Sequence, residues 1–538
     1  MEKQFKAIKG SKPVLKKFTT STPTPEKEEI TINIRLKNKP SAGSKSGLLE
    51  ILGSQLPGDK EHFRRDDLER MHGVNLDDIE IVKQFAAEYQ IEVTKINSAV
   101  RMVTLRGTPK EFNNAFKVNL ENFASKMHRF RSHREAIQIP ENLENIIEGV
   151  FGLDNQMTIE PRIPEVALTQ DNLKASIKKR YSPLEVAQAY KFPKGATGKG
   201  QSIAIIALGG GYKFEDIKYY LEEIIGVPTP KITDVSVDDA KNSPGLNNLQ
   251  DMEIVMDLEI LAAIAHGAEI VVYFAPNTDQ GFFNAVSAAV FDDVHKNSVI
   301  SISWGKAECK WSKPIVESLN GLFQAAALLG ITICVPSGDD GSDDGIEDGK
   351  VHVDFPASSP YVLSCGGTIL TIEESKLKSE IVWNEKFRGK WWASGGGVSD
   401  FFSVPIYQQG LGISIKSVNP EKNTGRYVPD IAAIAGSPGY DTYLNKMPTE
   451  IPGGATSAAV PLWAALIALI NEKLGTPVGY INPLLYKSAK KTGIFNDITS
   501  GNNDLDKLNA YKAEHGWDAC TGLGSPNGEE LLKMFQGK

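Results

Sequence analysis

Two carboxylates and one serine stand where their side chains could perform acyl-transfer chemistry. Glu253 and Asp257 lie four residues apart in the predicted helix MEIVMDLEILAAIAHG, so they share one face of a helix that is otherwise apolar. Ser457 follows a turn of small residues and precedes a second apolar helix, LWAALIALINEKLG. A serine at a helix N-terminus presents its hydroxyl beside free main-chain N–H groups, which suit a developing oxyanion. The pattern is typical of a nucleophilic serine with carboxyl groups that could take its proton.

Simpler interpretations of these features remain open at this point. Two acids at i and i+4 commonly form a solvated helix face, and a serine at a helix start is commonly a cap. A serine nucleophile requires a base, and the histidines of the C-terminal two thirds of the chain are not convincingly placed to act as one. These histidines are His266, His295, His352 and His515. The scarcity directs attention to the two carboxylates.

Three other patterns fail as functional motifs. The glycines of 209–211 do not have the GxGxxG spacing of a dinucleotide site, so a tight turn is favoured there. The aspartate-rich run from Ser337 does not match an EF-hand loop, because counting from Asp340 places Val351 where that loop requires Glu. The four cysteines are far apart with no CxxC pair, which predicts buried, inert thiols rather than a zinc or redox site.

Composition sets the broad class of the protein. The chain has 538 residues, 41% of them hydrophobic and 23% charged, as in an ordinary soluble globular protein. The net charge of −8 argues against a nucleic-acid partner. It divides into +5 over residues 1–180, with 30 basic and 25 acidic residues, and −13 over the remainder, with 29 and 42. We expect the basic leader and the acidic body to attract each other at neutral pH.

Membrane spans and export signals are not evident in the sequence. No apolar run reaches the 18 or so residues of a membrane span, and the first residues, MEKQFK, lack the apolar stretch of a secretory signal. We therefore expect no membrane partner and no recognisable signal peptide.

The chain is predicted to divide into four parts. Residues 1–29, rich in Lys, Thr and Pro, are expected to form a flexible tail. Residues 30–165 are predicted to form a ferredoxin-like α+β domain in the order β-α-β-β-α-β, with strands at 30–37, 91–97, 100–106 and 117–122. Residues 166–181 are expected to form a linker. In residues 182–538, apolar strands alternate with helices, which predicts an α/β domain with a parallel sheet covered on both faces.

Taken together, the ordered motifs resemble the sedolisin family of serine-carboxyl peptidases, most closely its kumamolisin-type members. The resemblance rests on Glu253-x-x-x-Asp257, Ser337-Gly-Asp339 and the turn at Ser457. It extends over nearly the whole chain through the segments SPLEVAQAYKFP, SISWG, HVDFPASSPYV and HGWDACTGLGSPNG. It implies a subtilisin-like parallel-sheet catalytic domain, preceded by a prodomain that inhibits it and is removed by cleavage within the linker.

The resemblance also implies a role for each site residue. Ser457 would be the nucleophile, Glu253 the general base, Asp257 the group that orients Glu253 and shares its proton, and Asp339 the oxyanion partner. A carboxyl with a pKa of about 4 is a useful base in acid, and Asp339 can donate to an oxyanion only while protonated. Both requirements predict an acid pH optimum.

A substrate cleft and one structural Ca²⁺ ion are implied in the same way. The main chain of Ser303, Trp304 and Gly305 would pair with an extended substrate, and Asp354 would favour a basic substrate side chain. The calcium ligands would be the side chains of Asp497 and Asp518 and the carbonyls of Ile498, Glu514 and Gly516, an all-oxygen set.

Two departures from the family pattern concern the site. Ala455 stands where a glycine is usual before Thr-Ser. Ala207 stands where kumamolisin-type enzymes carry a glutamate linked to the catalytic acids through the tryptophan that matches Trp304. The core set is intact, while the outer hydrogen-bond network is expected to differ.

The sequence therefore predicts an acid-active, calcium-dependent serine endopeptidase made as a self-processing zymogen. It would act on proteins or peptides outside the cell as a monomer, with its own prodomain as inhibitor. The alternatives are a catalytically silent relative that binds peptides and a calcium-stabilised surface protein. The natural substrate, the subsite preference, the cleavage point and the export route are not encoded in any motif.

Overall fold

The computed structural model describes residues 4–13, 15, 20–37, 45–72, 74–124, 129–157, 180–245, 248–387, 389–412, 415–449, 454–489, 491 and 493–538. Most of the predicted linker, 166–179, and most of the predicted cleavage region lie outside these residues. The described residues before the linker form the prodomain, and those after it form the body.

The prodomain contains nine strands and four helices among its described residues. The strands are β1 (Phe5–Ala7), β2 (Thr20–Pro23), β3 (Ile30–Leu36), β4 (Glu92–Asn97), β5 (Met102–Gly107), β6 (Glu121–Ala124), β7 (Arg129–Ser132), β8 (Gln138–Pro140) and β9 (Ile147–Phe151), and the helices are α1 (Lys45–Ser54), α2 (Arg65–His72), α3 (Leu76–Glu88) and α4 (Pro109–Phe116).

Four prodomain strands form an antiparallel sheet in the order β4-β5-β3-β9, which is the ferredoxin-like order. Helices α3 and α4 cover this sheet because their apolar residues recur at helical spacing, with Val82, Phe85, Phe112 and Phe116 buried in one core. Helix α4 starts at Pro109 behind the capping box of Thr108. The ferredoxin-like prediction is confirmed in its topology.

Two details of the prodomain prediction are wrong. The fourth strand of the sheet is β9, not 117–122, because Ile147–Phe151 supplies the buried apolar residues that pair with β3. Residues 121–124 instead form β6, which pairs with β2 and β7. The flexible tail predicted for 1–29 contains β1 and β2, which pair with β8 and β6 through main-chain hydrogen bonds that composition does not reveal.

The described body contains strands β10 to β27 and helices α5 to α13. The strands are β10 (Ser202–Leu208), β11 (Lys231–Ser236), β12 (Glu269–Ala275), β13 (Val299–Ser301), β14 (Lys306–Ala307), β15 (Thr332–Pro336), β16 (Asp354–Phe355), β17 (Leu363–Glu373), β18 (Lys376–Val382), β19 (Asn384–Phe387), β20 (Lys390–Ala393), β21 (Gly397–Val398), β22 (Tyr427–Val428), β23 (Ile431–Ile434), β24 (Tyr443–Leu444), β25 (Met447–Pro448), β26 (Phe495–Asn496) and β27 (Ser525–Pro526). The helices are α5 (Pro183–Ala189), α6 (Phe214–Tyr219), α7 (Asn248–Ile264), α8 (Asp279–Val290), α9 (Lys313–Leu328), α10 (Ile406–Gln409), α11 (Ala455–Leu474), α12 (Asn482–Ser488) and α13 (Gly528–Phe535), with a π-helical turn, Tyr220–Ile225, continuing α6.

The main sheet of the body runs β11-β12-β10-β13-β15-β17-β18, and β23 also pairs with β17. All of its pairings are parallel except that of β17 with β18. Every residue of β10 is buried, as expected for a parallel strand covered on both faces. One face packs against a core that includes α7 and α11, and the other against a core that includes α8 and α9. The predicted α/β architecture is confirmed.

Helix α11 lies inside the body. By length and composition it could span a membrane, and it is the one such helix among the described residues, but 89% of its most apolar window is buried in the protein. It is therefore a core helix, and it places Ser457 in its first turn. Three of the four cysteines are buried as predicted, whereas Cys309 is exposed.

The prodomain docks on α8, α9 and the start of α12. Phe151 stacks on Phe283 with ring centroids 6.3 Å apart, and the amide of Asn33 donates to Asn284 at 3.1 Å. Farther along, the ammonium of Lys60 donates to the main-chain carbonyls of Val478 and Tyr480 at 2.8 and 3.0 Å. These contacts hold the prodomain against the face of the body that α8 and α9 cover.

Candidate active site

Helix α7 buries both of its candidate catalytic acids. The side chains face inward because the residues around them in this helix are mostly apolar and pack in the core. Glu253 is 6% exposed and Asp257 is 1% exposed. A solvated acidic face, the simpler interpretation, is therefore wrong for this pair.

The nucleophile candidate is presented by a strained turn. Gly454 and Ala455 have φ angles of 77° and 58°, in the left-handed region, and Ser457 follows in the first turn of α11. A Cβ on Gly454 would lie 1.9 Å from the sulfur of Met256, so a glycine is required there. Ala455 adopts a conformation that costs a non-glycine residue roughly 1–2 kcal/mol. The departure at Ala455 thus leaves the turn formed, with strain.

The side chain of Ser457 is a neighbour of the Glu253 carboxyl, whose Oε1 atom is buried without a hydrogen-bond partner among the described residues. Burial raises the pKa of Glu253 well above its ordinary value, and the neighbouring carboxyls of Asp257 and Asp339 raise it further. Burial also raises the pKa of Asp257. Two buried acids side by side hold a proton that separate, solvated acids would release, so Glu253 is a stronger base than a free carboxylate.

Asp257 is held by Ser303, which lies two residues after the end of β13 and directly before Trp304. Ser303 donates its side-chain hydroxyl to Oδ1 of Asp257 at 2.9 Å, and this bond opposes the upward shift of the Asp257 pKa. The next residue, Trp304, donates its indole N–H to the main-chain carbonyl of Ile206 at 2.8 Å. That carbonyl satisfies the indole in a chain where residue 207 is alanine.

Asp339 lies against the residue before the nucleophile. Its Oδ1 accepts from the main-chain N–H of Thr456 at 3.0 Å and from the Thr456 hydroxyl at 2.6 Å. Its main-chain carbonyl accepts from the N–H of Ala393, which fixes the loop after β15 against β20. Asp339 is thereby placed beside the Ser457 turn, where an oxyanion partner must lie.

The candidate substrate-binding residues lie at the end of β13 and in β16. Asp354 is 2% exposed, and a Cβ on Gly305 would lie 2.2 Å from its Oδ1. Glycine at 305 therefore lets the Asp354 carboxyl approach the main chain that would pair with substrate. The roles of Asp354 and of Ser303, Trp304 and Gly305 in binding substrate remain predictions.

The predicted calcium ligands lie in two chain segments near the C-terminus, 497–498 and 514–518, which contact each other. The main-chain N–H of Gly516 is 3.1 Å from a carboxylate oxygen of Asp497, and that of Glu514 is 3.2 Å from one of Asp518. Ile498 directly follows Asp497. The two carboxylates thus border the 514–516 segment, and the donor set fits a hard cation in its chemistry. Among the described residues, three or more His, Cys, Asp or Glu side chains nowhere converge as a metal site, so carbonyls would supply most ligands.

The four histidines lie away from the catalytic set. His295 contacts Glu269, His352 contacts Asp348 and His515 contacts Asp497, at 3.0, 3.0 and 3.3 Å. His266 lies at the end of α7, 3.5 Å from the carbonyl of Ala263. The base nearest Ser457 among the described residues is a carboxyl.

Comparison with known families decides the identity of this arrangement. The pro-kumamolisin activation domain matches residues 16–156, and the subtilase family matches residues 241–506. Kumamolisin from Bacillus sp. (strain MN-32) is 42% identical over 486 residues, which are 89% of this chain and 87% of that protein. The chain belongs to the sedolisin family of serine-carboxyl peptidases.

Other relatives agree with this assignment. Tripeptidyl-peptidase sed5 of Aspergillus fumigatus is 27% identical over 520 residues, 87% of this chain and 86% of that protein. The solved structure of Pseudomonas sedolisin complexed with pseudo-iodotyrostatin matches with a TM-score of 0.60 and 26% identity, covering 67% of this chain and 99% of that one. The predicted fold class and the predicted enzyme class, a serine-type peptidase with a prodomain, are confirmed.

Two contacts of the sedolisin-type site escaped sequence reasoning. Thr456 was expected only as part of the turn, yet it holds Asp339 through two hydrogen bonds. Ser303 was assigned through its main chain, yet its hydroxyl holds Asp257. The contact between Thr456 and Asp339 leaves no local pattern in the sequence, because its two residues are 117 positions apart. The second could have been sought in a polar residue that follows a buried strand.

Proposed function

We propose that the chain is an acid-active endopeptidase synthesised as a zymogen that removes its own prodomain. The observation that carries this proposal is the burial of the candidate base, Glu253, together with a second acid, Asp257, beside Ser457. A silent peptide-binding relative or a calcium-stabilised surface protein would not require this ordered set, and neither alternative is favoured.

The geometry supports a sequence of proton movements. As the Ser457 oxygen attacks the scissile carbonyl, Glu253 takes the hydroxyl proton, and Asp257 supports it by sharing a proton. The oxyanion forms beside Asp339, whose protonated carboxyl donates to it. Glu253 then gives the proton to the leaving amine, and Ser457 is left as an acyl-enzyme. A water molecule attacks the acyl carbonyl, Glu253 takes the proton of that water and passes it to the Ser457 oxygen, and the peptide acid is released. No histidine takes part.

The pH dependence follows from two protonation requirements. Glu253 and Asp257, whose pKa values are raised, must hold one proton between them, and the Asp339 carboxyl must be neutral to donate to the oxyanion. Because the folded body favours the neutral acids, this pair supports folding below the ordinary carboxyl pKa of about 4 and opposes it as the pH rises. We expect peptide hydrolysis to be maximal in acid, near about pH 4, and to fall towards neutral pH. A titration of kcat/KM checks this, and an optimum at neutral pH with no hydrolysis near pH 4 would contradict it.

We also propose one structural Ca²⁺ ion on Asp497, Asp518 and the carbonyls of Ile498, Glu514 and Gly516. Bound there, the ion would supply positive charge to the buried Asp518, whose pKa burial raises to about 6. It would tie together two chain segments near the C-terminus and would take no part in the chemistry.

Removal of calcium is expected to destabilise the body. A ligand present at 100 times its Kd contributes about 2.7 kcal/mol, so chelation should lower the Tm by several degrees. Thermal unfolding with calcium and with chelator measures the shift. Asp518→Asn should abolish the response, whereas Glu514→Gln should keep it, because Glu514 is expected to use its carbonyl. An equal Tm with and without calcium would exclude the site.

The partners and location follow from the proposed activity. We propose that the chain acts as a monomer outside the cell, on protein or peptide substrates, with its prodomain as an intramolecular inhibitor. The acid requirement supports this, because a zymogen held at neutral pH during synthesis would gain activity only after reaching an acidic medium.

A further inference from the structure

Helix α7 carries a third buried acid that the proposed mechanism does not use. Glu259 is 0% exposed and lies two residues after Asp257. At roughly 100° per residue, it faces about 200° away from Asp257 around the helix axis. It therefore serves a different neighbour from that of the catalytic pair.

That neighbour is a hairpin formed by β24 and β25, here called the 440–449 hairpin. The Oε2 atom of Glu259 accepts from the main-chain N–H of Tyr443 at 2.9 Å. The Oε1 atom is buried without a hydrogen-bond partner among the described residues. A buried carboxyl oxygen without a partner is tolerable in a neutral acid and costly in an ionised one.

The charged and titratable groups around Glu259 disfavour its ionisation. Asp216 of α6 and Asp441 of the hairpin both act on it as like charges. Tyr220 faces it from the π-helical turn and donates its hydroxyl to the carbonyl of Asp441 at 2.9 Å. The cation Arg180 acts on Asp441 and is not among the groups that act on Glu259 itself. An ionised Glu259 would thus be a buried charge facing two other acids.

The hairpin is connected to the nucleophile turn in two ways. Its end, Thr449, is five residues before Gly454, where the turn begins. Both also rest on α7, because Glu259 holds Tyr443 while the Met256 side chain packs against Gly454. The hairpin and the turn that presents Ser457 thus pack against neighbouring turns of the same helix.

The hairpin and the residue before it also bind the described end of the predicted linker, residues 180 and 181. The N–H of Tyr181 donates to Gly439 and the N–H of Asp441 donates to Tyr181, both at 2.9 Å. Arg180 donates to the carbonyl of Thr449. One short hairpin thus contacts both the end of the predicted linker and the helix that carries Glu253 and Asp257.

We infer that Glu259 is a positioning residue that holds the 440–449 hairpin, and through it the Ser457 turn, while its carboxyl is neutral. Burial and the like charges raise the pKa of Glu259 well above its ordinary value. Because the pKa of Glu259 is raised while the hairpin is bound to α7, this binding is supported in acid and weakens as the pH rises. The chain then has a second acid requirement, separate from the proton of the Glu253–Asp257 pair.

The effect on activity rests on the proposed peptidase function and is measured with three forms of the processed enzyme. Glu259→Gln keeps a neutral acceptor for Tyr443, so it should retain the optimum activity within about threefold and move the alkaline limb of kcat/KM upward by about one pH unit. Glu259→Ala removes the acceptor and should lower kcat/KM at every pH without that shift. Glu223→Gln, an exposed acid, is the matched control. An alkaline limb that is identical in Glu259→Gln and in the unsubstituted enzyme would overturn the inference.

A second readout is independent of peptidase activity and of whether a Glu259 variant folds. In the full chain with Ser457→Ala, exchange of the Tyr443 amide is followed from about pH 4 to about pH 7, corrected for its intrinsic rate. Its protection should fall as the pH rises, while that of Leu329, whose amide is bonded to Ala325 at the end of α9, stays constant. Constant protection of the Tyr443 amide would refute the role of Glu259 in holding the hairpin. If the unsubstituted enzyme cleaves no peptide, only the proposed peptidase function is refuted.

Discussion

Glu253→Gln is expected to lower kcat for peptide hydrolysis by about 10⁴-fold or more. Glutamine occupies the same volume and can still contact the Ser457 hydroxyl, but it cannot take the proton of that hydroxyl. The nucleophile is then left without a base, because the histidines of the body lie elsewhere. KM should change little, since the Glu253 side chain is buried and offers little surface to a substrate.

The measurement is steady-state hydrolysis of a peptide in acid, with the free enzyme's fold checked by circular dichroism. Glu223→Gln, which removes an exposed acid, is the matched control and should keep normal kinetics. Residual activity of Glu253→Gln within tenfold of the unsubstituted enzyme would exclude Glu253 as the base. Asp257→Asn should be impaired less, because it changes the proton shared with the base and leaves the base present.

Asp339→Ala is expected to lower kcat by about 10²–10³-fold, the loss that follows removal of one oxyanion donor. The substitution also removes the acceptor of two hydrogen bonds from Thr456 and leaves both donors buried without that partner. The nucleophile turn should therefore loosen as well.

Asp339→Asn separates these two effects. Its amide oxygen can accept from Thr456 while its NH₂ group donates to the oxyanion at any pH. We expect Asp339→Asn to recover much of the activity and to decline less steeply than the unsubstituted enzyme as the pH rises. The pH profiles of the two variants test this. If the Asn variant is as inactive as the Ala variant at every pH, Asp339 does not act as a hydrogen-bond donor.

Local patterns in the sequence pointed to the candidate acids and the candidate nucleophile, and the family resemblance then gave each a predicted role. The i, i+4 spacing of Glu253 and Asp257 on an apolar helix, and the small residues before Ser457, each report a local geometry that folding preserves. Residue types and spacing therefore carried most of the candidate site.

Contacts between distant segments could not be found in this way. The bonds from Thr456 to Asp339 and from Glu259 to Tyr443 join residues that are 117 and 184 positions apart. The choice of β9 over residues 117–122 as a sheet strand depends on which segment fits against β3, because both are short and partly apolar. Strand β1 was missed for the same reason, since its pairing with β8 is set by the folded prodomain.

The central claim, that Ser457 and its carboxyl base form a peptidase that processes its own chain, is tested most directly by one incubation. The full chain and its Ser457→Ala variant are held near about pH 4, where the Glu253–Asp257 pair is expected to hold one shared proton, and the masses of the products are measured. We expect the unsubstituted chain to be cleaved in the segment between the prodomain and the body, and the variant to remain intact. A full-length unsubstituted chain after incubation, or cleavage of both chains at the same rate, would contradict the claim.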